Sequence, residues 1–291
     1  MQKPRLGIIH PGNMGISVAV SAQNSGCQVS WASEGRSAQT RERAERFALL
    51  DAGTLANLCR SSEVLLSVCP PHAAEEVAEE VVRHGFAGLY LDANAISPQR
   101  AVRIGARMAA AGVSFVDGGI VGGPAWEPQR TWLYLSGQDA ARAASCFSSG
   151  PLETAVIGEA PGKASALKMC YAAWTKGTTA LLGAILATAE VLEVREELEQ
   201  QWERDGSGFS AQAGQRVRQV TAKAWRFAGE MDEIASTFEG AGLPGGFHAA
   251  AADLYRRIAW LKDASSTPPL EEVLAALAHV DGPIRLRRQM H

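Results

Sequence analysis

A chain of 291 residues with 46% hydrophobic content can bury a sizeable core, and it exceeds the length at which one core usually suffices, so two domains are expected. Its 28 basic and 31 acidic residues give a formal charge of −3 with no block of one sign, which argues against a nucleic-acid partner. Five cysteines (Cys27, Cys59, Cys69, Cys146, Cys170), an odd number without a C-x-x-C pair, argue against a disulfide framework or a zinc site and suit reduced thiols in the cytoplasm.

The first residues run straight into a strand pattern without the apolar stretch of a secretory signal. Short apolar runs at 5–10, 28–32, 64–68, 88–93 and 114–117 read as strands, separated by helical stretches at 14–25, 37–50, 73–84 and 98–111. This alternation is that of βαβ units and predicts an α/β fold with a doubly wound parallel sheet. Further strands at 131–136 and 154–157, flanking a helix at 139–148, complete the sheet. After Ile157 the β-branched alternation stops, so the chain divides into a parallel-sheet domain, 1–160, and an all-α domain, 161–291, for substrate binding and dimerisation.

Residues 163–204 contain no proline and two interior glycines, Gly177 and Gly183, which predicts one long helix bending at those positions. A stop at 205–208 ends it, and helices at 211–239, 246–261 and 269–279 follow, with breakers at 243–246 and 265–269. The most apolar helical stretch, 177–189, is too short to span a bilayer, so no membrane contact is expected. Its segment Ala180-Leu-Leu-Gly-Ala-Ile-Leu186 is apolar on more than one face and points to a homodimer with interlocked helical domains.

The run at 6–9 leads into His10-Pro-Gly12-Asn-Met-Gly15 and then an apolar helix, the context that a dinucleotide-binding turn requires. The pattern G-x-G-x-x-G is met except at its first glycine, which is His10. Gly12 lets the backbone approach a pyrophosphate and Gly15 lets the helix pack closely on the strand, while the amides of Asn13 and Met14 sit at the helix N-terminus. The first domain is therefore expected to be a Rossmann fold holding a nicotinamide cofactor. His10 reads as a tolerated loop residue, with a cofactor-facing role as the other option. The second strand ends in Trp31-Ala-Ser33-Glu34-Gly35-Arg36-Ser37. Glu34 would bond a free ribose 2′-hydroxyl, whereas Arg36 with Ser33 and Ser37 would clasp a 2′-phosphate. The guanidinium tips the reading towards NADPH over NADH, and Ser37 also reads as the N-cap of the next helix.

The segments Gly7-Ile-Ile-His-Pro-Gly-Asn-Met-Gly15, Ser67-Val-Cys-Pro-Pro71 and Asp92-Ala-Asn-Ala-Ile-Ser-Pro98 resemble the N-terminal landmarks of the β-hydroxyacid dehydrogenases, which include phosphogluconate and 3-hydroxyisobutyrate dehydrogenases. Phe115-Val-Asp117-Gly-Gly-Ile-Val-Gly122-Gly123 resembles the family's substrate-binding stretch D-A-P-V-S-G-G, and Gly162-Lys-Ala-Ser-Ala-Leu-Lys168 its catalytic G-x-x-x-x-x-K segment. The C-terminal part is most similar to a branch of phosphogluconate-dehydrogenase-like proteins with a C-terminal domain of unknown function. The resemblance implies that Val68, Cys69 and Pro70 line the ribose side of the cofactor and that Asn94 and Ala95 lie near the nicotinamide. It also implies that Gly122 and Gly123 offer amides to a substrate carboxylate and that Lys168 is the catalytic lysine. Val121 stands where the family has a substrate-site serine, and Ala172 where it has an asparagine four residues after the lysine.

Lys168, Ala172, Thr175 and Lys176 recur at helical spacing on one face, with Tyr171 at its edge. A lysine turned inward on a helix rich in alanine and leucine is desolvated, which lowers its pKa towards general acid–base use near neutrality. Tyr171 is the alternative proton donor, Lys176 can hold a substrate carboxylate, and His248, after the turn Gly245-Gly-Phe, is a further candidate in the cleft. Trp126, Trp132, Trp174 and Trp260 read as pocket wall or core. The expected activity is hydride transfer between NADPH and a carbonyl or hydroxyl carbon of a small, acidic substrate. An imine reductase of the same architecture, or a cofactor-sensing protein without catalysis, are the alternatives.

Overall fold

The computed structural model describes residues 3–204, 206, 208–264 and 266–278. Its contacts divide the chain into two compact units, Met1–Tyr171 and Ala172–His291. In the first unit the order is β1 (Leu6–Ile8), α1 (Asn13–Asn24), β2 (Val29–Trp31), α2 (Ala38–Arg46), β3 (Leu50–Asp51), α3 (Leu55–Ser61), β4 (Val64–Ser67), α4 (Ala74–Arg83) and β5 (Leu89–Asp92). There follow α5 (Pro98–Ala110), β6 (Ser114–Val121), β7 (Thr131–Ser136), α6 (Ala140–Ala144), β8 (Leu152–Gly158) and α7 (Lys163–Ala172), the last reaching the unit boundary.

The eight strands form one sheet in the order β3-β2-β1-β4-β5-β6-β7-β8. All neighbours are parallel except β6 and β7, which run antiparallel. Strands β4 and β5 are buried along their whole length, as sequences such as Val-Leu-Leu-Ser require when helices cover both faces. Leu6, Ile8, Val64 and Leu66 pack with α1 residues Ile16, Val18 and Ala19 on one face. Ile9, Leu65 and Tyr90 pack with Leu58, Val77, Ala101 and Ile104 of α3, α4 and α5 on the other. The helix expected over 37–50 is shorter than its pattern: Ala48 takes a positive φ of 52°, and the chain returns as β3, paired with β2, before the short α3. Both residues of β3 are exposed, so no apolar run announces it.

In the second unit α7 passes through a π-helical turn, Ala173–Gly177, into α8 (Thr178–Val191). Then come α9 (Arg195–Arg204), α10 (Phe209–Gln219), α11 (Ala224–Gly240), α12 (Gly246–Arg257) and α13 (Leu270–Ala278). Gly177, one of the two glycines expected to bend the helix, is the last residue of the π turn. Gly183 does not interrupt α8: a side chain there would press on Leu277 at 3.1 Å, so the glycine serves packing. The long helix instead breaks after Val191, where Glu193 adopts a φ of 57° and the Val194 amide closes the turn on the Ala189 carbonyl. Likewise the helix expected over 211–239 is split by the 3-10 turn Thr221–Lys223. Helix α11 lies along α12, and α8 packs against α10 and α13.

Parts of the stop at 205–208 and the breaker at 265–269, together with residues 1, 2 and 279, lie outside the described residues. Among the described residues no helix is long and apolar enough to cross a membrane. Trp126, Trp132, Trp174 and Trp260 are all surface residues, Trp132 being 37% exposed and Trp174 65%, so none of them is core.

Candidate functional site

The turn after β1 has the geometry its glycines predict. A Cβ on Gly15 would lie 2.4 Å from the His10 carbonyl oxygen, so helix and turn meet at a distance only glycine permits. A Cβ on Gly12 would meet nothing, which leaves space above the turn. Gly12 is the N-cap of α1 and offers no side-chain acceptor, so the amides of Asn13 and Met14 open the helix without a cap. That is the arrangement that attracts a phosphate. A cavity of about 580 Å³ opens beside Asn13 between α1, α2 and the segment 124–126, floored by the stacked rings of Phe47 and Trp126 and walled by Arg43 and Arg46.

At the end of β2 the amides of Ser33 and Glu34 both donate to the Gly53 carbonyl at 2.9 Å. The Ser33 side chain is buried, while Glu34 is exposed. Ser37 caps α2 through the Thr40 amide, as its N-cap reading predicts. Arg36 is half-buried, with its Nε enclosed and unpartnered, and burial lowers its pKa. Three enclosed polar atoms without partners, His10 Nδ1, Arg36 Nε and Asp92 Oδ2, thus follow or end β1, β2 and β5. Such atoms are costly unless a ligand completes them.

Between β4 and β5 a buried polar brace ties the strand ends together. Asn94 Nδ2 donates to the Ser67 hydroxyl at 3.1 Å, the Cys69 amide donates to Asn94 Oδ1 at 2.6 Å, and the Asn94 amide donates to Asp92 Oδ1 at 3.0 Å. Asn94 is buried within this brace, and Ala95 is the half-buried residue beside it. Val68 and Cys69 are also half-buried, and Pro70 is exposed. Burial pushes the Cys69 thiol up to about 12, so it stays protonated at neutral pH.

Burial, with the Asp117 charge adding to it, pushes the Asp92 carboxyl up to about 7. The unfolded chain loses that proton near pH 4, the folded chain only near 7, so Asp92 costs stability progressively between those values and fully above 7. Asp92→Asn keeps the acceptor for the Asn94 amide and removes the ionisation. The variant is expected to be the more stable protein above pH 7, by at most about 4 kcal/mol at about 1.4 kcal/mol per pKa unit. Urea denaturation at pH 5 and pH 8 checks this, and an advantage that does not grow with pH rejects it.

Asp117, opposite Asp92 in the sheet register, clamps the start of α7. Its carboxylate accepts from the amides of Gly162 (2.8 Å) and Ser165 (3.0 Å) and from the hydroxyls of Ser165 (2.6 Å) and Ser136 (3.0 Å). Burial raises its pKa while these four donors act in the opposite direction. Farther along β6, a Cβ on Gly119 would strike the Ala164 carbonyl at 2.5 Å and Lys168 Cβ at 3.0 Å, so α7 rests directly on the strand backbone. Lys168, half-buried, donates from Nζ to the Ile120 carbonyl at 2.6 Å. Gly122 follows with φ 117°, and the Gly123 carbonyl accepts from the Thr131 hydroxyl at 2.8 Å. Tyr171, at the end of the unit, is exposed.

In the helical unit Lys176 pairs with Glu230 and lies over the Phe227 ring at 4.8 Å, so its charge is already matched. The Tyr255 hydroxyl donates to the Lys176 carbonyl at 2.8 Å within the π turn. His248 is 6% exposed, packed between Phe238 and Phe247, and burial lowers its pKa. The residues that sequence reasoning passed over are Asp92, Asp117, Ser136 and Ser165. The two aspartates stood inside the quoted motifs; nothing in the pattern marked the two serines as their partners.

Residues 5–146 match the family model described as the NAD binding domain of 6-phosphogluconate dehydrogenase, and residues 189–258 match a domain of unknown function, DUF1932. An uncharacterized 28.5 kDa protein from the 7S RNA 5′ region of Methanothermus fervidus is 29% identical over 57% of this chain, and the match spans 66% of that relative, just under two thirds of its length. A solved conserved protein of unknown function, described as structurally similar to 3-hydroxyacid dehydrogenases, is 26% identical, with a TM-score of 0.64 over 89% of this chain and 100% of its own. Two others share the fold at lower identity. The 3-hydroxyisobutyrate dehydrogenase of Mycobacterium tuberculosis, solved with L-serine, has 15% identity, a TM-score of 0.68 and coverage of 95% and 100%. The reductive aminase of Aspergillus terreus, solved with a form of NADPH, cyclohexanone and allyl amine, has 17%, 0.56, and 94% and 99%.

Proposed function

Because the chain carries the NAD-binding domain of the 6-phosphogluconate dehydrogenases together with a DUF1932 domain, on an NAD(P)-binding oxidoreductase fold, we propose that it transfers a hydride between NADPH and a carbonyl or hydroxyl carbon of a small, acidic substrate. The single observation that carries this reading is the placement of Lys168: its ammonium is held at 2.6 Å by the Ile120 carbonyl on β6, the strand that continues into Gly122 and Gly123. The residues present fit a dinucleotide. The space above Gly12 and the uncapped start of α1 suit its pyrophosphate, and the enclosed, unpartnered Nε of Arg36 suits a phosphate on its ribose.

When bound, the nicotinamide supplies the hydride acceptor or donor. The chain supplies the rest. Lys168 gives a proton to the oxygen that develops charge as the carbonyl is reduced, or takes it back in the opposite direction. The Ile120 carbonyl orients the ammonium, and the Asp117 clamp fixes the helix that carries it. Gly122 and Gly123 present backbone to the substrate carboxylate. Lys176, matched by Glu230, is assigned no contact with substrate.

The test is turnover of NADPH and NADH against a panel of 2- and 3-oxoacids, aldehydes and cyclic imines. Oxoacid reduction supports the reading, activity on imines alone replaces it with an imine reductase, and binding without turnover replaces it with a cofactor sensor. The same proposal includes a cytoplasmic homodimer joined through the helical unit. Leu181, Leu192 and Val194 are 43%, 58% and 45% exposed there, an apolar surface that water leaves unsatisfied. Light scattering at micromolar concentration is expected to give twice the chain mass, and a monomer rejects the assembly.

A further inference from the structure

His10 stands where the dinucleotide motif has its first glycine, and its ring has a use that a mere loop filler lacks. Its carbonyl is locked into the turn, accepting from the Gly12 amide at 2.9 Å and lying against Gly15, so the point from which the side chain departs is fixed. Its Nδ1 is enclosed and unpartnered. The Arg36 guanidinium, whose Nε is also enclosed and unpartnered, is near enough for its charge to act on the His10 ring and on the Cys69 thiol. Side chains from the segments after β1, β2 and β4 thus gather on one spot, and two of the three offer nitrogen atoms that nothing among the described residues satisfies. The acidic side chains that act on this group are Glu80, on Arg36 from α4, and Asp92, on Cys69 from the end of β5.

We propose that His10 and Arg36 together form the site for the 2′-phosphate of NADPH, the imidazole supplying a second donor beside the guanidinium. The proposal rests on the cofactor reading above and deepens it. A neutral ring buried against a guanidinium is an unfavourable arrangement for the free protein, and an anion between the two groups reverses it. Burial and the Arg36 charge hold the free ring at about 4, so it is neutral at pH 7. A phosphate dianion raises the ring pKa by the same electrostatics that Arg36 uses to lower it, and binding is accompanied by proton uptake. Of the facing groups, Cys69 stays a neutral thiol and Arg36 stays charged, while Glu80 acts on Arg36 and Asp92 on Cys69, neither being among the charges that act on the ring.

Two cofactors and three variants test this by binding alone. Dissociation constants for NADPH and NADH are measured by nicotinamide fluorescence from about pH 8.5 to about pH 7, above the pKa of about 6 at which the phosphate itself takes up a proton. The parent is expected to bind NADPH more tightly as pH falls, by up to about tenfold per unit, while NADH binding stays level. His10→Gln keeps a neutral donor and should flatten that slope; His10→Gly, which restores the motif's glycine, should weaken NADPH about tenfold, the scale of one charge-assisted hydrogen bond. Arg36→Ala should weaken NADPH by more and leave NADH alone. Thermal melts show whether each variant is folded, and His10→Gln serves if His10→Gly is not. A parent that prefers NADPH, loses it with Arg36→Ala and is indifferent to His10→Gln overturns the role of His10 while leaving the NADPH reading in place. A parent with no preference between the cofactors overturns both. Substrate turnover is not read in any arm, so a failed activity screen leaves this result standing.

Discussion

Lys168→Met is expected to lower turnover by a hundredfold or more, the usual scale for loss of a general acid, while the dissociation constant for NADPH stays within about twofold of the parent. Methionine keeps the length and the apolar stem of lysine but carries no proton. The Lys168 side chain lies against Gly119 and its ammonium against the Ile120 carbonyl, so the substitution empties a proton position without disturbing the phosphate turn at Gly12–Gly15 in the sequence or the β4–β5 brace. The loss should fall on kcat and on kcat/KM alike, because a proton given to a developing alkoxide is an interaction made in the transition state. Steady-state kinetics on whichever substrates the panel identifies, paired with cofactor titration, separates the two effects. Full activity in the variant would remove the lysine from the mechanism and bring Tyr171 forward as the proton donor.

The second large effect is on stability. Asp117→Ala strands two buried amides, Gly162 and Ser165, and two buried hydroxyls, Ser136 and Ser165, that share its carboxylate. Each buried polar group left unmade costs about 1–3 kcal/mol, and partial relaxation and water entry make the sum less than four times that, so a total of about 3–5 kcal/mol is expected. A domain of this size is stable by only about 5–15 kcal/mol, so the variant should unfold at a much lower urea concentration or accumulate poorly. Asp117→Asn, which keeps one acceptor oxygen, should lose less and remain measurable. A loss under about 1 kcal/mol in Asp117→Ala would mean that the clamp is not what holds α7 to the sheet.

The rhythm of the parallel sheet was legible because β1, β4 and β5 are short apolar runs between amphipathic helices, and the tight turn after β1 was legible because glycine spacing reports backbone geometry directly. β3 was not, since two exposed residues carry no burial pattern. The break after Val191 escaped because no glycine or proline marks it: the exposed Glu193 takes the left-handed conformation, against its own preference, where the Val194 amide closes on the Ala189 carbonyl. Lys168 and the glycines of β6 stand out through their motif, whereas the pairing of Lys176 with Glu230 depends on two residues 54 positions apart that no local pattern connects. His248 shows the same limit from the other side, for its rings of contact, Phe238 and Phe247, make it a packed residue of the helical core. Asp92 and Asp117 meet only because their strands are neighbours in register, a fact of the sheet and not of the chain.

The seam between β6 and α7 has one more consequence, for how such a protein can diversify. Gly118 and Gly119 admit no side chain, the first because of the Asp92 carbonyl at 2.9 Å and the second because of α7, so this stretch of strand has almost no freedom to vary. Freedom to vary lies instead at the rim, at Val121 and the exposed residues around Pro124 and Trp126, where a loop can lengthen or change composition at little cost to the fold. A change of length or composition in that single loop would leave the turn at the first strand and the lysine behind the glycines where they are.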